Sequence, residues 1–201
     1  VLLRIVAVIV LAGAGYAAST KRTYACLALL VVLGATLRIY ASLAEPYLHP
    51  WDERYHALVA KNLASHPLRP TLIDDPAIDY SLEDWTSNHV WLHKPPLALW
   101  TMAASIKVVG TTVLAIRLPS LLASTCLIIV VFLLGRLLFD ERVGLWVAFL
   151  SGTSVPVIAS ATGRVATDHV DTLFLLTTCL AGFLAYRHAV RQRAADLLAF
   201  G

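Results

Sequence analysis

Apolar residues fall in long runs rather than in alternation, at 1–18, 24–43, 118–139, 144–161 and 171–188. Each run is near the roughly 20 residues that a helix needs to cross a hydrocarbon core of about 30 Å. Five spans are therefore expected at those bounds, the first interrupted by Arg4. The stretch from Pro95 to Gly110 is different, because it contains Thr101, Ser105 and Lys107. From Leu97 to Val109 it makes only about 20 Å of helix at about 1.5 Å per residue. Basic residues decide how it lies. If it does not cross, Lys21 and Arg22, Arg136 and Arg142, and Arg187, Arg191 and Arg193 all fall on one cytoplasmic side. If it crosses, the last two clusters change sides. The pattern predicts a helix lying in the outer interface.

Residues 45–116 then form one external loop, and 162–170 a second, short external turn. The long loop holds eight of the thirteen acids and five of the seven histidines. Its segment 67–84, rich in proline and acid, predicts an irregular excursion between short helices. A loop of such length without its own core is usually functional.

Composition agrees with the runs: 58% of residues are hydrophobic and 14% charged, whereas a soluble domain has about a quarter charged. The expected class is an all-α polytopic membrane protein. A net charge of +3, dispersed around apolar runs, is no nucleic-acid footprint. Cys26, Cys126 and Cys179 all lie within apolar runs and are expected to pack rather than to bridge or ligate. The chain starts at Val1 and stops at Gly201, and is expected to be part of a longer polytopic protein.

The ionisable residues divide between plain and chemical roles. Asp52 opens the helical pattern DERYHALVAKNLA, in which Tyr55, Leu58, Val59, Asn62 and Leu63 share a face. It is expected at the N-cap, or as a carboxylate that takes a proton from a substrate hydroxyl. Lys94 precedes Pro95, which drives it into extended backbone, and Pro96 can start the next helix. Lys94 either snorkels to headgroups or meets a phosphate as a point charge. His93 either hydrogen-bonds in the loop or ligates a metal. Arg117 and Arg38, each near the outer end of a span, are headgroup anchors or holders of an anionic group. Asp168 is a solvated turn residue or part of the site, and Asp171 a cap. Trp51, Trp85, Trp91 and Trp100 fit an interfacial aromatic belt.

Arg38, WDERY at 51–55, HKPPLALW at 93–100, RLPSLL at 117–122, and Arg164 with Asp168 follow one another in order. The set resembles the N-terminal portion of a GT-C glycosyltransferase of the dolichyl-phosphate-mannose protein mannosyltransferase superfamily, which includes the aminoarabinose lipid A transferases. The resemblance covers residues 24–190. It implies that residues 1–201 form the N-terminal part of one integral membrane catalytic domain, a GT-C helix bundle whose large first external loop carries short interfacial helices. It implies an inverting transferase that moves a sugar from a polyprenyl-phosphate donor to a hydroxyl on a protein, lipid or glycan acceptor. The membrane it implies is the bacterial plasma membrane, with the site on the periplasmic face. Asp52 is implied as the catalytic carboxylate with Glu53 its neighbour in the Asp-Glu pair. Lys94 matches the family lysine that contacts the donor phosphate, Arg117 the arginine that opens the next span, and Asp168 the acid of the second external loop; with Arg38 and Tyr55 they make the implied substrate- and phosphate-binding set. The aminoarabinose transferases carry a metal-binding glutamate before Lys-Pro-Pro; His93 stands there in this chain, so a divalent metal on His93 is the corresponding expectation. They also space the Asp-Glu pair from the following Arg-Tyr by one residue more, so no role passes to Arg54.

Two rival readings differ in where charge should lie. A lipid-carrier transporter or flippase is expected to place ionisable groups at the bilayer midplane, and runs 118–139 and 144–161 have none near their centres. A non-catalytic membrane scaffold is expected to turn Asp52 and Lys94 in separate directions.

Overall fold

The computed structural model describes residues 20–75, 77, 81, 83, 90, 91, 93–162 and 168–191, with the side chains at 20, 21, 168–170 and 191 outside the description. The run at 1–18, Arg164, Trp85 and most of the 162–170 turn therefore lie outside the described residues.

Among the described residues seven helices follow in order: α1 Thr20–Leu43, α2 Asp52–Ser65, α3 Pro96–Val109, α4 Val113–Leu138, α5 Glu141–Thr153, α6 Val155–Ala161 and α7 Asp168–Arg191. Among the described residues the only β pairing is an isolated bridge between Thr71 and Val90. The chain is an all-helical membrane protein. Arg22–Leu43, Val113–Leu138 and Asp171–Val190 are each long and apolar enough to cross a bilayer, and α5 with α6 qualifies as a broken span.

Two of these helices depart from the apolar runs. The run at 144–161 breaks at Ser154. Pro156 has no N–H for the Gly152 carbonyl and its ring crowds that carbonyl, so α5 stops and α6 begins afresh. The run at 118–139 starts earlier, at Val113, with Pro119 inside the helix. The Thr112 hydroxyl accepts a hydrogen bond from the Ala115 N–H at 3.1 Å and so caps α4 from outside the apolar run. Arg117 consequently lies a full turn inside α4 rather than at its start.

The chain divides into two compact units, one comprising 1–37, 125–154 and 175–201, the other 38–124 and 155–174. In the first, Leu27, Ile128, Phe132 and Ala148 form the buried cluster. Gly135 and Gly144 let α4 and α5 touch backbone to backbone: a Cβ on Gly135 would lie 2.9 Å from the Gly144 Cα. Small residues at such crossings permit the close packing that holds helices together in lipid. Asp140 caps α5, its carboxylate accepting from the Arg142 and Val143 N–H groups at 2.8 Å each. Beside it, Arg136 pairs with Glu141 at 3.2 Å and donates to the Tyr24 hydroxyl at 2.6 Å.

The second unit is built on α2 against α3. Helix α3 buries Ala98, Leu99, Met102, Ala103 and Ile106, a stripe at three- and four-residue spacing. Against it α2 turns Ala57, Val59, Ala60 and Leu63, and Trp91 and Ile116 complete the cluster. The prolines act as expected: Pro95 sits at φ −56°, ψ 136°, and Pro96 is the first helical residue. Helix α3 ends at Gly110, whose φ of 92° suits a residue without a Cβ. The 67–72 segment is tied down at several points. Asn62 Nδ2 donates to the carbonyls of Thr71 at 2.9 Å and Leu72 at 3.2 Å. Trp100 Nε1 donates to the Pro67 carbonyl at 2.8 Å, and the Trp91 N–H to that of Pro70 at 2.8 Å.

Candidate active site

Asp52 does not cap α2. The N-cap is Trp51, held at φ 79° with no side-chain cap hydrogen bond, and its carbonyl accepts the N–H groups of Arg54 at 3.1 Å and Tyr55 at 3.2 Å. The expectation of Asp52 as the capping residue is therefore corrected by one position: the left-handed turn at Trp51 makes Asp52 the first helical residue. Its carboxylate lies instead 3.9 Å from Lys94 Nζ, with side chains 19% and 29% exposed. Asp52 and Lys94 thus face one another, as a scaffold would not require. A non-glycine residue at positive φ is strained, and such strain clusters at working sites.

Glu53 points inward. It is buried with Arg117, the two side chains 0% and 1% exposed. Arg117 Nε donates to Glu53 Oε1 at 2.7 Å and Nη2 to Oε2 at 3.1 Å. Nη1 donates to the carbonyls of Ser42 at 2.7 Å and Glu45 at 2.8 Å, and Nη2 to that of Tyr47 at 2.9 Å. A guanidinium has five N–H donors, so the whole set is engaged with protein. Glu53 Oε2 also accepts the His49 N–H at 2.6 Å. Glu45, whose carbonyl Arg117 holds, pairs through its carboxylate with the His49 ring.

Arg38 is fully buried and donates from Nε to the Ser124 hydroxyl at 2.7 Å. Ser120, one turn along α4 from Arg117, donates to the Ala161 carbonyl at 2.8 Å. Both serines thus give buried polar atoms a partner where water is scarce.

Aromatic rings from the start of α2 and from the segment before α3 pack together. Tyr55 stacks on Trp91 with centroids 5.7 Å apart at 18°, and Trp51 meets Tyr55 edge-on at 6.1 Å. Trp91 is only 4% exposed. It therefore belongs to the core between α2 and α3 rather than to an interfacial belt, because its ring is covered by Tyr55, His56 and His93. A cavity of about 220 Å³ opens beside it, lined by Pro67, Pro70, Trp91, Leu99, Trp100 and Lys94 among others. Lys94 thus stands between the Asp52 carboxylate and an apolar recess.

Among the described residues no three His, Cys, Asp or Glu side chains come together, and the His93 ring meets the Trp91 ring edge-on with centroids 4.9 Å apart. Asp168 is the first residue of α7, and its side chain is outside the description. The pocket walls at 67–70 carried no signal in the sequence beyond their prolines. The Ser42, Glu45 and Tyr47 carbonyls carried none, because a backbone acceptor has no residue-type signature.

An all-helical membrane protein with a carboxylate and a lysine facing one another beside an apolar recess has the parts for chemistry on a lipid-linked anion. Residues 93–201 match the family described as dolichyl-phosphate-mannose-protein mannosyltransferase. That is over half of the chain, and the chain belongs to this family of GT-C type membrane glycosyltransferases. The match includes Lys94, Arg117 and Asp168 and begins after Asp52. No curated protein and no solved structure matches the chain.

Proposed function

We propose that this chain carries active-site residues of an inverting glycosyltransferase. It moves a sugar from a polyprenyl-phosphate donor to an acceptor hydroxyl on a protein, lipid or glycan at the outer face of the membrane. The observation that carries the reading is the approach of Asp52 to Lys94, 3.9 Å, where Lys94 also lines a recess with Trp91, Leu99 and Trp100.

The chemistry balances on these groups. The acceptor oxygen attacks the anomeric carbon from the face opposite the phosphate, and Asp52 takes the hydroxyl proton as general base. The bond from the anomeric carbon to the phosphate oxygen breaks, and its electron pair leaves with the polyprenyl phosphate. Lys94 offsets the charge that grows on that phosphate, as a preplaced cation does without reorganising. Lys94 forgoes its contact with Asp52 for the phosphate when donor arrives, leaving the carboxylate to the acceptor.

The test uses membranes containing the full-length protein and a panel of labelled polyprenyl-phosphate sugars. Label leaves a donor in the wild type only, not in Asp52→Asn, and the anomeric configuration of the product is inverted. Retention of configuration, or transfer that Asp52→Asn leaves intact, would sink the mechanism.

A further inference from the structure

We propose that Glu53 and Arg117 are positioning residues, which hold the start of α2 so that Asp52 faces Lys94 and do not themselves touch donor phosphate. This rests on the reading of Asp52 as the base.

The argument begins with donor count. Arg117 directs two N–H groups at the Glu53 carboxylate and three at the carbonyls of Ser42, Glu45 and Tyr47. A phosphate could reach the guanidinium only by displacing one of these acceptors from a side chain that is 1% exposed. The Ser42 carbonyl lies in the last turn of α1 and those of Glu45 and Tyr47 in the segment that leaves it, so the chain wraps around a single guanidinium as it turns towards α2. The His49 N–H then closes the wrap on Glu53 Oε2 at 2.6 Å.

Consecutive helical residues project about 100° apart. With Glu53 drawn inward onto Arg117, Asp52 is directed to the flank of α2, where Lys94 Nζ lies at 3.9 Å. The N-cap residue, Trp51, makes no side-chain cap hydrogen bond, so no cap fixes the start of α2. The Glu53–Arg117 fork supplies that orientation, and its planar geometry is what a lysine cannot reproduce.

The test uses full-length protein in membranes, with Arg117→Lys and the gentler Glu53→Gln, which keeps side-chain shape and removes charge. Two readouts are taken: kcat and donor KM separately, and amide hydrogen exchange across 42–49. Positioning predicts that kcat falls by about a hundredfold, the scale of a misplacement near 1 Å, while donor KM stays within about threefold. Exchange across 42–49 rises in both variants. A donor KM raised tenfold or more with kcat and exchange unchanged would overturn the proposal and make Arg117 a phosphate ligand. If Arg117→Lys does not accumulate, Glu53→Gln carries both readouts. Should the wild type transfer no sugar, the reading of Asp52 fails on that result, and exchange alone still judges the fork.

Discussion

Asp52→Asn and Lys94→Gln, made singly and together, separate a working pair from a structural one. At 3.9 Å and an effective dielectric near 20, two unit charges attract by about 4 kcal/mol. Both side chains are partly in water, 19% and 29% exposed, and hydration and side-chain entropy reduce such pairs to about 0–1 kcal/mol net. A lost helix cap would add about 1 kcal/mol, but α2 has no side-chain cap hydrogen bond to lose. Each variant should therefore unfold within about 1 kcal/mol of the wild type. Transfer by Asp52→Asn should nonetheless fall by about 10²–10⁴, the range for a lost general base, which is about 3–5 kcal/mol of barrier. The assays are thermal unfolding of the full-length protein in detergent and sugar transfer in membranes, on the same preparations. An Asp52→Asn enzyme with more than a tenth of wild-type activity would refute the assignment. So would activity lost in step with several kcal/mol of stability.

Three further outcomes are expected. Glu53→Ala leaves the Arg117 guanidinium buried without its carboxylate, which should cost about 3–5 kcal/mol; a thermal unfolding shift worth under 1 kcal/mol would contradict it. Gly144→Ala places a methyl 2.8 Å from the Phe132 carbonyl oxygen, so backbone must move, and melting should report a loss of about 1–3 kcal/mol. Trp100→Phe removes the donor that holds the Pro67 carbonyl at 2.8 Å, a net loss of about 0.5–1.5 kcal/mol. It should show as faster exchange at the Trp91 N–H, which is bonded to Pro70 in the same segment.

The helical character of the chain was legible because long apolar runs have few other stable outcomes in lipid. The start of α3 was equally plain, since Pro95 and Pro96 restrict their own backbone. Helix ends within apolar stretches were harder. Pro156 carried the signal for the break after α5, yet average hydrophobicity runs smoothly across it. Thr112 starts α4 from outside the run, where periodicity alone gives no bound. The site was legible in kind but not in arrangement. Asp52 and Lys94 stood out as ionisable groups in a greasy chain, and their approach across 42 positions of sequence depends on α2 packing on α3. Glu53 and Arg117 looked like exposed chemistry for the same reason. Only packing shows that they face each other, with the Ser42, Glu45 and Tyr47 carbonyls filling the remaining donors.

The fork on Arg117 also sets an order of events during synthesis. An arginine carried into a bilayer on a solitary helix costs about 2.5–3.5 kcal/mol near the centre, and less towards the ends. Among the described residues every partner of the Arg117 guanidinium, from the Ser42 carbonyl to the Glu53 carboxylate, precedes it in the chain. When α4 emerges from the ribosome its acceptors have already been made, and none has to wait for a later helix. The charge can be neutralised as its own segment integrates, so α4 can dock against residues 42–53 without an acceptor from any later helix.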